Sequence, residues 1–190
     1  MLVSRIIPCL LVKNQGLVKS TKFQNHRYVG DPINAVKIFN EKQVDELVIL
    51  DIDASPQKRE PDYRMIANVA HECRMPLCYG GGVRTVAQVQ KIIKLGVEKV
   101  ALGLAAAENP ALIVEASRIV GNQSIVVILD VKKVSGRYEV FTRNGTMGLG
   151  KTPVELGKHF ERLGAGEILV NSIDDDGVMQ GYDLKLVEDV

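Results

Sequence analysis

A repeat within the chain sets an acidic residue, Asp130, opposite an apolar one, Leu11. The segments Cys9–Lys13 and Ile128–Lys132 share the pattern Leu-x-Val-Lys, and Leu11 occupies the position that Asp130 holds in the second copy. Two carboxylates at such equivalent positions could work as a general acid and a general base. Because leucine cannot exchange a proton, the chain keeps one candidate proton-transfer residue, Asp130.

The repeat extends well beyond these segments. Asp45–Asp53 resembles Gly166–Asp174, and Asp31-Pro32 resembles Thr152-Pro153. A spacing of about 120 residues is too long for a solenoid repeat and is typical of a duplicated half-domain.

Composition places the chain among ordinary globular proteins. Its 190 residues are 46% hydrophobic and 25% charged, which is enough for one domain with a real core. The net charge of +1 gives no electrostatic reason to expect a nucleic-acid or membrane partner. The odd cysteine number and absence of metal-type spacing favour reduced thiols at Cys9, Cys73 and Cys78. Without an apolar run of roughly 18 residues or a signal-peptide core, the sequence predicts a cytoplasmic protein.

Nearly continuous apolar runs alternate with helical patterns along the chain. The predicted strands are Ile6–Val12, Glu46–Ile52, Met75–Tyr79, Lys99–Gly103, Ser124–Asp130 and Glu167–Ser172. The predicted helices are Pro32–Lys42, Asp62–Glu72, Thr85–Leu95, Pro110–Val120 and Pro153–Leu163. Asp31, Asn109 and Thr152 precede first-turn prolines and are typical helix starts. This alternation predicts a parallel α/β sheet with right-handed crossovers.

Strand–helix units in repeated halves favour a (β/α)8 TIM barrel, a single domain with residues 1–123 as the first half and 124–190 as the start of the second. Such barrels need about 250 residues, with about 200 as a lower bound. Since Tyr182–Val190 looks like the opening turns of a sixth helix, we expect a truncated barrel of about six units. An open Rossmann-like sheet is the alternative, although no Gly-x-Gly-x-x-Gly opens the first βα turn.

In a barrel, chemistry occurs at the C-terminal ends of the strands. Residues expected there are Leu11, Lys13, Asp51, Asp53, Gly80–Gly82, Gly103, Asp130, Lys132, Ser172, Asp174, Asp176 and Gly177. The glycine triplet could let backbone amides approach a phosphate, or could simply form a tight βα turn. Asp174–Gly177 lacks the rest of a calcium-loop pattern, so we predict no metal.

The same regions carry a resemblance to a known family, the cyclase subunit of imidazole glycerol phosphate synthase. The matching stretches are Arg5–Leu10, Leu17–Lys19, Gly30–Pro32, Asp45–Leu47, Leu50–Ile52, Gly80–Thr85, Asn109-Pro110, Gly164–Leu169, Asp174–Gly177 and Gly181–Leu184. They follow one another along the whole chain, which makes the resemblance far more specific than any single motif.

The resemblance implies a (β/α)8 barrel that pairs with a glutaminase subunit and needs no cofactor. In that family the glutaminase releases ammonia from glutamine, and the barrel conducts the ammonia to its active site. There the ammonia reacts with a bis-phosphorylated ribulosyl aminoimidazole carboxamide. The products are imidazole glycerol phosphate and a ribosylated aminoimidazole carboxamide.

Individual residues acquire roles through this resemblance. It implies that Asp130 is the catalytic carboxylate and that Lys19 lies on a mobile loop covering the substrate. The substrate and phosphate contacts that it implies are Lys19, Gly81, Gly82, Gly103, Asp176 and Gly177. The implied gate through which ammonia enters consists of Arg5, Glu46, Lys99 and Glu167. A capping ring of salt bridges is the alternative explanation for these four charges.

Two positions depart from the family pattern. Leu11 replaces the first catalytic acid, and Gly103 replaces the asparagine that the family typically has beside a substrate phosphate. This combination resembles cyclase-like paralogues from bacterial cell-surface polysaccharide clusters, which implies ammonia supply to a sugar amidotransferase. The hypotheses are therefore a divergent ammonia-conducting barrel, a genuine cyclase with an altered acid, and a nonfunctional fragment.

Overall fold

The computed structural model describes residues 4–190 as alternating strands and helices. The strands are β1 Cys9–Lys13, β2 Gly16–Thr21, β3 Gln24–Gly30, β4 Leu47–Asp51, β5 Leu77–Gly80, β6 Lys99–Leu102, β7 Ile125–Val134, β8 Arg137–Thr142, β9 Met147–Gly148 and β10 Glu167–Ser172. The α-helices are α1 Pro32–Lys42, α2 Tyr63–Glu72, α3 Val86–Lys94, α4 Leu104–Glu108, α5 Ala111–Val120, α6 Pro153–Leu163 and α7 Leu184–Asp189.

Side-chain caps fix where the helices begin. The Asp31 carboxylate accepts hydrogen bonds from the first amides of α1, and Thr152 forms a reciprocal capping box with Glu155 at the start of α6. Both helices place proline in their first turn, where the missing N–H costs nothing. Gly164 ends α6 with a φ of 107°, a backbone conformation that glycine adopts without steric cost.

The chain divides into two compact units. The N-terminal unit contains the described residues up to Val18 together with Tyr28–Ala101. Its strands follow the order β3-β2-β1-β4-β5-β6, in which β1, β4, β5 and β6 are parallel neighbours and β2 runs antiparallel to β1. Strand β4 is buried along its whole length, as expected for a strand covered on both faces.

The C-terminal unit contains Lys19–Arg27 and Leu102–Val190. Strand β7 is its centre, with β10 parallel on one side and β8 antiparallel on the other. Helices α5 and α6 pack against β7 and against each other. Their apolar core includes the fully buried Ile113, Ile125 and Val127. This arrangement fixes the positions of side chains along β7 and β10.

The predicted α/β class with parallel strands is confirmed. Each predicted strand has a counterpart: Glu167–Ser172 has the bounds of β10, and the other five differ in their bounds. The helical start predicted within Tyr182–Val190 is α7. The sheet is nevertheless mixed, since β2, β3, β8 and β9 form antiparallel hairpins that the sequence analysis missed. Because β8 pairs with Asp130–Val134, β7 continues well past Asp130, the end that the sequence predicted for this strand.

Two local features differ from the predictions. No strand was predicted between Asn14 and Gly30, but β2 and β3 occupy most of this segment. Asn109 was predicted to cap α5; it ends α4, and Pro110 precedes α5 instead. No helix within residues 4–190 is both long and apolar enough to cross a membrane.

Candidate functional site

Asp130 on β7 and Asn171 on β10 form a polar pair across two neighbouring strands. The parallel strands β7 and β10 place them in register, and the Asn171 side-chain amide donates to Asp130 Oδ1 over 3.3 Å. Burial raises the pKa of Asp130 to about 6; the Asn171 hydrogen bond opposes this rise, and the negative charge of Asp176 adds to it. A carboxyl group with such a pKa can both take and release a proton near neutral pH.

The equivalent pair in the N-terminal unit is apolar. Strands β1 and β4 are also parallel, and their register sets Leu11 opposite Leu50. This is the register that the internal repeat requires, because Leu11 aligns with Asp130 and Leu50 aligns with Asn171. The duplicated framework therefore carries a polar pair in one half and an apolar pair in the other.

The turn after β10 uses its acidic side chains to organise backbone. Asp174 Oδ2 accepts a hydrogen bond from the Lys133 amide at 2.9 Å, and Asp175 Oδ2 accepts one from Ser172 Oγ at 2.6 Å. Within residues 4–190, no three His, Cys, Asp or Glu side chains converge in a way that could hold a metal ion. The acidic run thus has a structural explanation in this turn.

Asp176 ties the β2–β3 hairpin to this turn. Its Oδ2 atom accepts hydrogen bonds from Ser20 Oγ at 2.7 Å and from the Phe23 amide at 3.0 Å, while its carbonyl accepts the Lys22 amide at 2.9 Å. A side chain at Gly177, whose φ is 67°, would collide with the Ser20 carbonyl oxygen. Asp176 and Gly177 together hold the segment Lys19–Arg27. The side chain of Lys19, the first residue of this segment, is exposed.

The glycine turn after β5 is explained by close packing. A Cβ atom at Gly81 would collide with the Asp51 carbonyl oxygen, and one at Gly82 would lie 2.8 Å from the Arg59 carbonyl oxygen. The Gly82 amide donates to Ser55 Oγ at 3.2 Å, so this N–H already has an acceptor inside the protein. The tight-turn explanation suffices for these glycines, and phosphate binding stays a prediction.

Gly103 differs from the other predicted phosphate contacts. It immediately precedes α4, and its carbonyl accepts the Ala106 amide at 3.0 Å. An added Cβ would meet only Ile128 Cβ at 4.0 Å, so space is available for a side chain. The backbone angles of Gly103, φ −104° and ψ −99°, nevertheless lie outside the usual α and β regions and favour glycine.

A buried carboxylate lies where the strands of the N-terminal unit begin. Glu46 is only 2% exposed, and its Oε2 atom contacts Arg5 Nη1 at 3.0 Å and Lys99 Nζ at 2.8 Å. Two cations thereby compensate one buried negative charge, which would otherwise be costly to desolvate. Glu167, the fourth predicted gate residue, begins β10 in the C-terminal unit and is half-buried.

Comparison with known proteins decides the family. The histidine biosynthesis protein family matches residues 5–190. The chain belongs to this family. A Vibrio vulnificus relative is 57% identical over 98% of this chain and 73% of its own length, and bears the provisional name imidazole glycerol phosphate synthase subunit HisF3. A Leptospira interrogans relative, provisionally named as subunit HisF of the same synthase, is 55% identical over 99% of this chain and 75% of its own length.

A third member of the histidine biosynthesis family comes from Exiguobacterium sibiricum. Named imidazole glycerol phosphate synthase subunit HisF, it is 43% identical over 99% of this chain and 76% of its own length. The resemblance to the cyclase subunit of imidazole glycerol phosphate synthase is thereby confirmed. The chain spans about three quarters of the length of these family members.

Two residues of the candidate site, Asn171 and Ser20, were not predicted from the sequence. Asn171 left a signal, because it is a polar residue inside an apolar strand and aligns with Leu50 in the repeat. Ser20 left none, since its bond to Asp176 joins positions 156 residues apart. Local sequence patterns do not report such distant contacts.

Asp130→Asn tests whether burial raises the pKa of Asp130. The folded pKa of about 6 exceeds the ordinary value of 3.8, so the folded protein binds this proton more tightly than the unfolded chain. The associated stability is present below the unfolded pKa and is lost as pH rises through 6. We expect Asp130→Asn to raise the free energy of unfolding by about 1 to 3 kcal/mol at about pH 8. Urea unfolding near pH 3.5, which is below the pKa of Asp130 in both the folded and the unfolded protein, should show little gain. An equal gain at both pH values would contradict this explanation.

Asp176→Ala tests the attachment of the hairpin. Hydrogen bonds to a charged group contribute about 1.5 to 3 kcal/mol each, so hydrogen exchange at the Phe23 amide should accelerate at least about tenfold. The matched control is Asp175→Ala, which removes the bond from Ser172 and touches no hairpin residue through the bonds described above. Unchanged exchange in Asp176→Ala, or equal acceleration in both variants, would show that Asp176 does not hold the hairpin.

Proposed function

We propose that this protein is an ammonia-accepting barrel subunit with impaired cyclisation, working with a glutaminase and supplying ammonia for the amidation of a cell-surface sugar. The proposal rests on one contrast within the chain. In the N-terminal unit Glu46 is paired with both Arg5 and Lys99. In the same unit Leu11 and Leu50 form an apolar pair where the other half has Asp130 and Asn171.

The Glu46 cluster supports a role in ammonia entry. Its carboxylate is almost fully buried and Lys99 is 13% exposed, while Arg5 remains 51% exposed and could respond to a docking partner. A compensated ion cluster of this kind can rearrange without leaving a bare buried charge. Ammonia released by a glutaminase on this face would pass these side chains, with Glu167 as the fourth member of the gate.

Leu11 supports impaired cyclisation. Removing one member of a cooperating catalytic pair costs several orders of magnitude in rate, because such groups act as a unit. Asp130 would remain as the single proton-transfer residue, and Gly103 would offer no side chain to a substrate phosphate. Lys19, Gly81, Gly82, Asp176 and Gly177 are the remaining residues proposed to contact a phosphorylated substrate.

A second candidate function is cyclisation in histidine biosynthesis, with Asp130 assisted by a different acid. The retained Asp130, whose pKa of about 6 suits proton transfer, favours it. Under either function the proposed architecture is a (β/α)8 barrel, of which residues 1–123 and 124–190 belong to successive halves. Products formed from a ribulosyl substrate and from a sugar substrate distinguish the two functions.

Lys99→Met tests the ammonia gate in a complex with a glutaminase subunit. The substitution keeps the aliphatic length and removes the positive charge that contacts Glu46. We expect the complex to assemble normally by sedimentation while glutamine consumed per amidated product rises several-fold, because ammonia escapes before reaching its acceptor.

Lys94→Met is the matched control for the gate. Lys94 is an exposed residue at the end of α3, and its substitution removes an equal charge away from Glu46. Its coupling should equal that of the unmodified protein. Full coupling in Lys99→Met would refute the gate, and the absence of any complex with the glutaminase would refute the proposed function as a whole.

The cyclisation rate tests the role of Leu11. Given ammonia and the ribulosyl substrate, the protein should turn over roughly three or more orders of magnitude more slowly than a cyclase with both carboxylates. Leu11→Asp should restore part of this rate. Leu11→Asn should restore none, because asparagine has nearly the shape of aspartate but no acidic proton to exchange. A normal rate in the unmodified protein would support histidine biosynthesis instead.

A further inference from the structure

Asn171 occupies the one position on β10 that is directly opposite Asp130. Its side-chain amide is the hydrogen-bond donor to the Asp130 carboxylate, and the flanking strand residues Ile168, Leu169 and Val170 are apolar. At the equivalent position of the N-terminal unit, Leu50 faces Leu11. A polar residue thus occurs on β10 opposite the carboxylate of β7, and an apolar residue occurs on β4 opposite the leucine of β1.

Among the neighbours of Asp130, Asn171 is the one whose hydrogen bond favours the ionised carboxylate. Across the other edge of β7, the register partner of Asp130 is Phe141 of β8, which brings no charge. Within residues 4–190, Asp176 in the turn after β10 is the charged group whose field acts on Asp130, while α5 and α6 bring none that does. Asp176 disfavours the ionised carboxylate, and the Asn171 amide favours it.

We infer that Asn171 is a positioning residue, which holds the Asp130 carboxylate in one orientation and keeps it available as the proton acceptor of this site. The inference rests on the proposed function only in assigning proton transfer to Asp130. An amide donor suits this task because it bonds to the ionised form without itself exchanging a proton. A purely structural asparagine would fill space between the strands and leave the titration of Asp130 unaffected.

The test follows the carboxyl carbon of Asp130 by NMR in protein labelled at aspartate, with Asp130→Asn identifying the signal. Asn171→Leu keeps a similar volume and removes the donor, so the pKa of Asp130 should rise by about half a unit or more. In the unmodified protein, the side-chain amide protons of Asn171 should titrate with the midpoint of Asp130. Asn171→Val, which strands favour, repeats the donor loss if the leucine variant does not fold.

Ser172→Ala is the matched control, because it removes a hydrogen bond from the adjacent residue to Asp175 without touching Asp130. The pKa of Asp130 should stay unchanged in this variant. An unchanged pKa in the Asn171 variants, or an equal rise in Ser172→Ala, would overturn the inference. These titrations need no glutaminase, so failure to form the complex and failure of the positioning role are separate results.

Discussion

The register between parallel strands is the constraint on which the candidate site depends. A shift of one residue between β7 and β10 would turn Asn171 to the opposite face and break its bond to Asp130. The apolar residues of these strands fix the register, since slippage would expose a set of buried side chains. The chemistry of the site is therefore positioned by residues that take no part in it.

Glu46 and Asp130 lie in opposite electrostatic environments. Glu46 is nearly fully buried beside two cations, so its charge is compensated within the cluster. Asp130 has a neutral amide donor and a neighbouring negative charge, so burial raises its pKa. A compensated carboxylate suits a structural or gating element, whereas an uncompensated one suits proton exchange near neutral pH.

Much of the framework could be predicted from sequence because its signals are local. The apolar runs and the prolines after Asp31 and Thr152 each identified an element that the structure contains. The hairpins escaped because β2 and β3 are polar along much of their length, and pairing rather than burial defines them. Asp130 could be found through the repeat, but its partner Asn171 required knowledge of the strand register.

The bond between Ser20 and Asp176 also bears on how the chain folds. It joins residues 156 positions apart, so closing it costs far more chain entropy than forming the local helices does. During synthesis, Lys19–Arg27 emerges long before Asp176 exists to receive it. The hydrogen bonds between the hairpin tip and Asp176 therefore cannot form until the C-terminal segment has been made. We expect docking of the hairpin tip to be among the last steps of folding.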